Sequence, residues 1–154
     1  MTIHLATDHA GFDHKEAVKA WLTSEGYTVL DHGAQTYEPL DDFPDFIGLA
    51  AAAVNKAPAS ARAVIFGGSG QGEAMAANRF PKVRAAVFYG GDPTIVSLSR
   101  AHNDANVLSI GARFVAIDLT KQVIWEWLHT APLADAKYQR RNQKLEQLTR
   151  SIDL

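Results

Sequence analysis

Short apolar runs alternate with longer amphipathic stretches through most of the chain. The runs Ile3–Thr7, Tyr27–Asp31, Ala63–Phe66, Ala85–Phe88 and Val107–Ile110 predict five strands. Between them, helical spacing of Ala17, Val18, Trp21 and Leu22 predicts a helix from about Asp13 to Glu25, stopped by Gly26. A second helix is expected over Phe43–Asn55, and a third opens at Gly72. A fourth follows Asp92-Pro93, a cap and first-turn pair. Two more close the chain: Leu119–His129, capped by Asp118, and Leu133–Ser151. Strands alternating with helices imply right-handed crossovers and a parallel sheet. The expected fold is therefore α/β: a Rossmann-like three-layer sandwich with a five-stranded parallel sheet and an extended C-terminal helix.

In such sheets ligands bind beyond the carboxyl ends of the strands. Asp8-His9 follows the first strand, a glycine loop follows the third, and Arg113 lies just past the fifth. The glycine loop reads GGSGQGEAMAAN from Gly67 to Asn78. Backbone N–H groups of such a turn, at a helix N-terminus, favour an anion. A nucleotide-binding loop of the Walker type needs a lysine that is not there. A dinucleotide fingerprint belongs after the first strand and ends in a glycine step that this loop lacks. Two uses remain on local sequence. The loop is an oxyanion hole for charge that develops during reaction, with Ser69 adding a hydroxyl and Glu73 as the adjacent base. Otherwise it is a tight turn in which Glu73 is an ordinary first-turn residue.

Composition narrows the picture little, but usefully. A chain of 154 residues fits one domain over 1–154, with a substantial core. The net charge of -2 gives no electrostatic case for nucleic acid or an anionic membrane. With no cysteine, disulfides, thiolate metal sites and a cysteine nucleophile are excluded. Neither a signal-peptide core nor a membrane-length apolar run is present, so cytoplasm is the expected compartment. His4, His14, His32 and His129 are scattered without ligand spacing, and no metal is assigned. The acids of the loop Gly33–Asp42 lack calcium-loop spacing. Against the acidic balance, Lys137 to Lys144 is basic, and Lys137 and Arg141 share a helix face. That stretch is either a solvated face or a cationic arm reaching an anion, in the same or a partner subunit.

Several separated motifs occur in order: Asp8-His9-Ala10-Gly11, Gly68-Ser69-Gly70-Gln71-Gly72 with Ala76-Ala77-Asn78, Arg84-Ala85-Ala86, Arg100-Ala101-His102-Asn103-Asp104-Ala105-Asn106-Val107-Leu108, and Gly111-Ala112-Arg113. Together they resemble the ribose-5-phosphate isomerase B family, which also includes galactose-6-phosphate isomerase subunits. The resemblance implies a metal-free, cofactor-free aldose–ketose isomerase of ribose 5-phosphate and ribulose 5-phosphate, working through a cis-enediolate. In one branch the base is a cysteine, at the position occupied here by Gly67. Glu73 matches the branch with a glutamate at the far end of the loop.

By the same resemblance His102 is the ring-opening acid/base, for which an imidazole pKa is suited. Asp8 holds sugar hydroxyls, and Asn103 donates to the enediolate or a neighbouring hydroxyl. The loop residues Gly68, Gly70 and Gly72 hold the developing anion. His9, Arg113, Lys137 and Arg141 clamp the phosphate. The family pattern has arginine and histidine where this chain has Lys137 and Tyr138, which removes one bidentate fork. A tetrulose 4-phosphate or a galactose or allose 6-phosphate is thus an alternative substrate, and a non-catalytic phosphosugar-binding module is the alternative of another class. No nucleotide cofactor is expected. The family forms dimers, sometimes tetramers, with sites built between subunits, so a homodimer is expected.

Overall fold

The computed structural model describes residues 1–150. Five parallel strands lie in the order β2-β1-β3-β5-β4, with β1 Thr2–Thr7, β2 Thr28–Asp31, β3 Ala61–Gly67, β4 Ala85–Phe88 and β5 Val107–Gly111. The helices are α1 Phe12–Ser24, α2 Phe43–Lys56, α3 Gln71–Ala77, α4 Thr94–Asn103, α5 Ile117–His129 and α6 Ala136–Arg150. All five strands and all six helices stand where the apolar pattern predicts them. A 3-10 turn over His9–Gly11 was not anticipated. Two helix starts shift. Asp118 lies inside the first turn of α5, which begins from Ala116 rather than from the expected aspartate cap. The last helix starts at Ala136, not Leu133, and its expected end at Ser151 lies outside the described residues.

The central strands β1, β3 and β5 are buried almost throughout because both their faces are covered, whereas the edge strands β2 and β4 are only partly buried. Alternate residues go to opposite faces. Ile3, Leu5, Val64, Phe66, Leu108 and Ile110 pack with Val18 and Leu22 of α1 and Val123, Ile124 and Trp127 of α5. On the other face, Ala6, Ala63, Ile65 and Val107 pack under α2 and Ala77 of α3. Helix α2 shows how sequence sets its seat. Ile47, Ala50, Ala51 and Val54 form one stripe at helical spacing, all essentially without exposure. Pro44 sits in the first turn, where a missing N–H costs nothing.

Connections moving toward β4 run over the α2/α3 face, and those moving back run over the α1/α4/α5 face. Strand β3 is therefore flanked on both sides by strands whose outgoing chain leaves toward the opposite face. A crevice opens at the carboxyl end of such a strand. That end carries the glycine loop.

His4 of β1 and His32 face each other across 2.8 Å, Nδ1 to Nε2. Burial pushes both imidazoles below their ordinary value, His4 further through the charge of His32, while Asp31 opposes the effect on His32. A lowered folded-state value means that the unfolded chain takes up protons first as the solution is acidified. Stability should be flat above about pH 6.5 and fall as pH drops from there through the depressed folded values. Chemical denaturation between pH 8 and pH 5 checks this. His32→Gln should flatten the slope, and an unchanged slope would remove the pair from the acid response.

Candidate active site

The turn at the end of β3 is built from the backbone outward. Gly70 has φ 77°, a left-handed conformation open to glycine without strain. Its carbonyl accepts a hydrogen bond from Ser109 Oγ at 2.7 Å, and Ser69 Oγ accepts from the Gln71 N–H at 3.4 Å. Helix α3 then starts at Gln71 and places Glu73 in its first turn. The Glu73 carboxylate folds back over the end of β3. It occupies the space that a Cβ at residue 67 would meet, so a larger residue there would require the Glu73 side chain to move.

Glu73 is only 5% exposed. Burial is the main influence on its carboxyl group and pushes it above the ordinary carboxylate range. Its own backbone N–H, at the helix start, pulls the other way, and the charge of Asp8 adds to the rise. The N-terminus of α3 thus moderates the effect of burial but does not cancel it.

Asp8, His9, Gly68, Ser69, Gly72, Glu73 and Arg113 line one cleft of about 460 Å³, with Phe43 and Phe114 as apolar walls. Asp8 caps the 3-10 turn by accepting the Ala10 N–H at 3.0 Å. The Arg113 N–H donates to the Gly68 carbonyl at 3.1 Å, which ties the β5 exit to the loop. Seven of the twelve expected site residues therefore meet at the carboxyl ends of β1, β3 and β5. Gly70, expected to bind substrate, is buried beneath the loop and does not line the cleft.

One residue here escaped sequence reasoning. Asp41 Oδ1 accepts the His9 backbone N–H at 3.0 Å and lies 2.7 Å from His9 Nδ1. The Asp41 side chain is 9% exposed. A carboxylate on Nδ1 fixes the proton there and orients the other ring nitrogen. The available signal was a second aspartate beside Asp42 ahead of α2, where one helix cap suffices. Asp8, His9 and Asp41 also hold ligand-type atoms within 4.8 Å of one another. Local ligand spacing in the sequence does not reveal this group, because its members come from two separate segments. His9 and Asp41 meet here as a hydrogen-bonded pair.

The other four expected residues, His102, Asn103, Lys137 and Arg141, do not line this cleft. The reason is topological. Helix α4 leaves the carboxyl end of β4 and runs back, so His102 and Asn103 at its C-terminus lie near the amino end of β5. Ten helical residues span about 15 Å. The motif around them clamps the helix end. Arg100 Nη1 donates to Asp104 Oδ1 at 2.6 Å and to the Ala105 carbonyl at 2.7 Å. Arg84 Nη2 reaches Asp104 Oδ2 at 2.9 Å. Asp104 itself turns the chain at φ 46°. The His102 ring stacks on Tyr138 of α6, with centroids 4.4 Å apart.

The remaining histidines have separate tasks. His14 Nε2 lies 2.7 Å from the Val115 carbonyl, and His129 Nδ1 lies 2.7 Å from that of Trp125. Trp127 is fully buried while Trp125, two positions earlier on α5, is 44% exposed.

A parallel α/β sheet that sets a buried carboxylate, an imidazole and a guanidinium around one cleft has the parts of an acid–base enzyme for an anionic substrate. Comparison with known proteins makes that class definite. The chain belongs to the Ribose/Galactose Isomerase family, whose model matches residues 3–145. It is 32% identical over 151 residues to ribose-5-phosphate isomerase B of Mycolicibacterium paratuberculosis, covering 98% of this chain and 93% of that protein. The Escherichia coli ribose-5-phosphate isomerase B is 34% identical over 149 residues, with 96% and 93% covered. Among solved structures, ribose-5-phosphate isomerase B of Mycoplasma genitalium with bound ribulose-5-phosphate superposes with a TM-score of 0.91 at 30% identity, covering 97% of this chain and 96% of that one. The Clostridium thermocellum enzyme gives 0.90 at 33% identity, covering 98% and 99%.

Proposed function

We propose that this protein interconverts D-ribose 5-phosphate and D-ribulose 5-phosphate through a cis-enediolate, with Glu73 as the base. The observation that carries the reading is the buried Glu73 carboxylate seated over Gly67, beside Asp8 and the loop. His102 opens the furanose by moving a proton between ring oxygen and anomeric hydroxyl, while Asp8 holds the sugar hydroxyls. Glu73 then removes the C2 proton of the aldehyde form. Electrons shift into the C1 carbonyl, whose oxygen takes up charge as the enediolate forms. The loop N–H groups, the Ser69 hydroxyl and Asn103 hold that charge. The O2 hydroxyl proton passes to O1, and Glu73 returns the carbon-bound proton to C1 as the C2 carbonyl forms, giving the ketose. A carboxylate with a raised pKa is a stronger base for this step than an exposed one. His9, Arg113, Lys137 and Arg141 hold the phosphate, with Asp41 orienting His9.

Glu73 and His102 lie toward opposite ends of one sheet, so one protomer does not bring them together. This favours a homodimer in which each site takes Glu73, Asp8 and His9 from one protomer and His102, Asn103, Lys137 and Arg141 from the other. Two such dimers can also pair as a tetramer. No helix among the described residues is long and apolar enough to cross a membrane, and we place the reaction in the cytoplasm.

Mixing two inactive variants tests the shared site. In a two-fold dimer of Glu73→Gln with His102→Ala, one site receives both native residues and the other neither. Random reassociation should restore about a quarter of native turnover on ribose 5-phosphate. Mixtures as inactive as their parents would place each complete site within one chain.

A further inference from the structure

We propose that Tyr138 is a positioning residue for the ring-opening step, holding His102 and the cations of α6 as one preformed unit. The inference rests on the reading of His102 as the ring-opening acid/base. Four contacts carry it. The rings of Tyr138 and His102 are stacked, with centroids 4.4 Å apart and planes 9° from parallel. The Lys137 Nζ lies 4.8 Å from the centroid of the same phenol ring, and the Arg141 Cζ lies 6.0 Å from it. Asn142 Nδ2, one residue further along α6, donates to the His102 carbonyl at 3.2 Å. Helix α6 thus grips His102 at both ring and backbone. Tyr138 is the element common to the acid/base and to the two cations.

An imidazole that shuttles a proton between ring oxygen and anomeric hydroxyl must keep its plane and its distance to both. A lone histidine near a helix end has two free side-chain torsions. Parallel stacking against a half-buried phenol removes most of that freedom without engaging either ring nitrogen, so both remain available to the sugar. A residue that bonded a ring nitrogen would compete with the substrate. Tyr138 acts through His102 and has no need to touch the sugar. The same ring holds Lys137 and Arg141 by cation–π attraction, so the phosphate cations and the imidazole keep a fixed separation.

Substrate chemistry gives a readout that a merely structural role would not move. Ribose 5-phosphate closes through its O4 hydroxyl to a furanose and must be opened. In ribulose 5-phosphate the O5 that would close a furanose on C2 is esterified, so the ketose is already open. A defect confined to His102 therefore slows turnover of the aldose. It leaves solvent-deuterium exchange at C1 of the ketose, which needs only Glu73 and the enediolate contacts, largely intact.

The experiment compares Tyr138→Ala, Tyr138→Phe and His102→Ala in the full-length protein in D2O, reading aldose turnover by coupled assay and C1 exchange of ribulose 5-phosphate by NMR. Tyr138→Ala should lower kcat on ribose 5-phosphate by about 10- to 100-fold, while C1 exchange at saturating ribulose 5-phosphate, where weaker phosphate holding shows only in KM, changes less than about threefold. Tyr138→Phe, which keeps the stack, should recover most of the loss. Equal loss of turnover and exchange in Tyr138→Ala, or no rescue by phenylalanine, would overturn the positioning role. His102→Ala separates this inference from its premise. If it shows the same asymmetry while Tyr138→Ala does not, the role of Tyr138 fails and that of His102 stands. If His102→Ala shows no asymmetry, the ring-opening assignment itself fails and the inference falls with it.

Discussion

Glu73→Gln should abolish isomerisation, with turnover on ribose 5-phosphate falling by at least about a thousandfold and deuterium exchange lost at both C1 and C2. The substitution keeps size and shape, so the amide fits the same volume over Gly67. What it removes is the lone pair that takes the carbon-bound proton. Substrate affinity should change little, because the phosphate is held by other residues. The variant should also be more stable than the parent at neutral pH. Burial raises the carboxyl group of Glu73 above its ordinary range. A raised acid favours folding below the ordinary carboxylate range, and that contribution is lost as pH rises through the folded value. At neutral pH the ionised group therefore costs stability, and glutamine relieves the cost. The same shift sets the acid limb of kcat/KM, which should fall at a pH above that of an exposed carboxylate. Thermal unfolding and a pH–rate profile check both statements. A variant that keeps exchange would disqualify Glu73 as the base.

The second large effect concerns a residue far from the chemistry. Lys15→Ala should destabilise the fold by about 3 kcal/mol and lower the unfolding midpoint by about 6–12 °C. The Lys15 side chain is completely buried, and its ammonium donates to Asp31 at 2.7 and 2.9 Å and to the Ala34 carbonyl at 2.7 Å. The Asp31 side chain is 8% exposed and is also held by Lys19 and by the Gly33 N–H. Although burial pushes the Asp31 carboxyl up, these hydrogen bonds and the charge of Lys15 win and hold it low. Removing one partner strands a buried carbonyl and weakens a buried charge pair, which is the costly direction. The damage should reach the site. The loop anchored at Gly33 and Ala34 carries Asp41, and Asp41 orients His9. A raised KM for ribose 5-phosphate with kcat less affected is the expected signature. Lys15→Met, which keeps the apolar stem, should cost less than Lys15→Ala. An unchanged midpoint for Lys15→Ala would show that the pair contributes nothing net.

Much of this architecture was legible in the chain because its central strands are buried on both faces. Runs such as Ala63–Phe66 carry no alternation to misread, and their spacing by helical segments leaves few topologies. The glycine loop and Glu73 were legible for a local reason: strand, turn and helix follow one another within a dozen residues. Asp41 was not, since its partner His9 is thirty-two residues away and only the return of the 33–42 loop joins them. The division of the site was equally hidden. His102 looks adjacent to Arg113 in sequence, yet α4 and β5 run antiparallel and place their chemistry at opposite ends of the sheet. Tyr138 read as a departure from the family pattern. Its stacking on His102 gives that departure a physical use.

The most direct measurement is proton NMR of ribose 5-phosphate incubated with the protein in D2O, with a chelator present. The account predicts ribulose 5-phosphate carrying solvent deuterium at C1, formed at a rate indifferent to the chelator. Absence of ketose, or ketose formed only when divalent metal is restored, would contradict it.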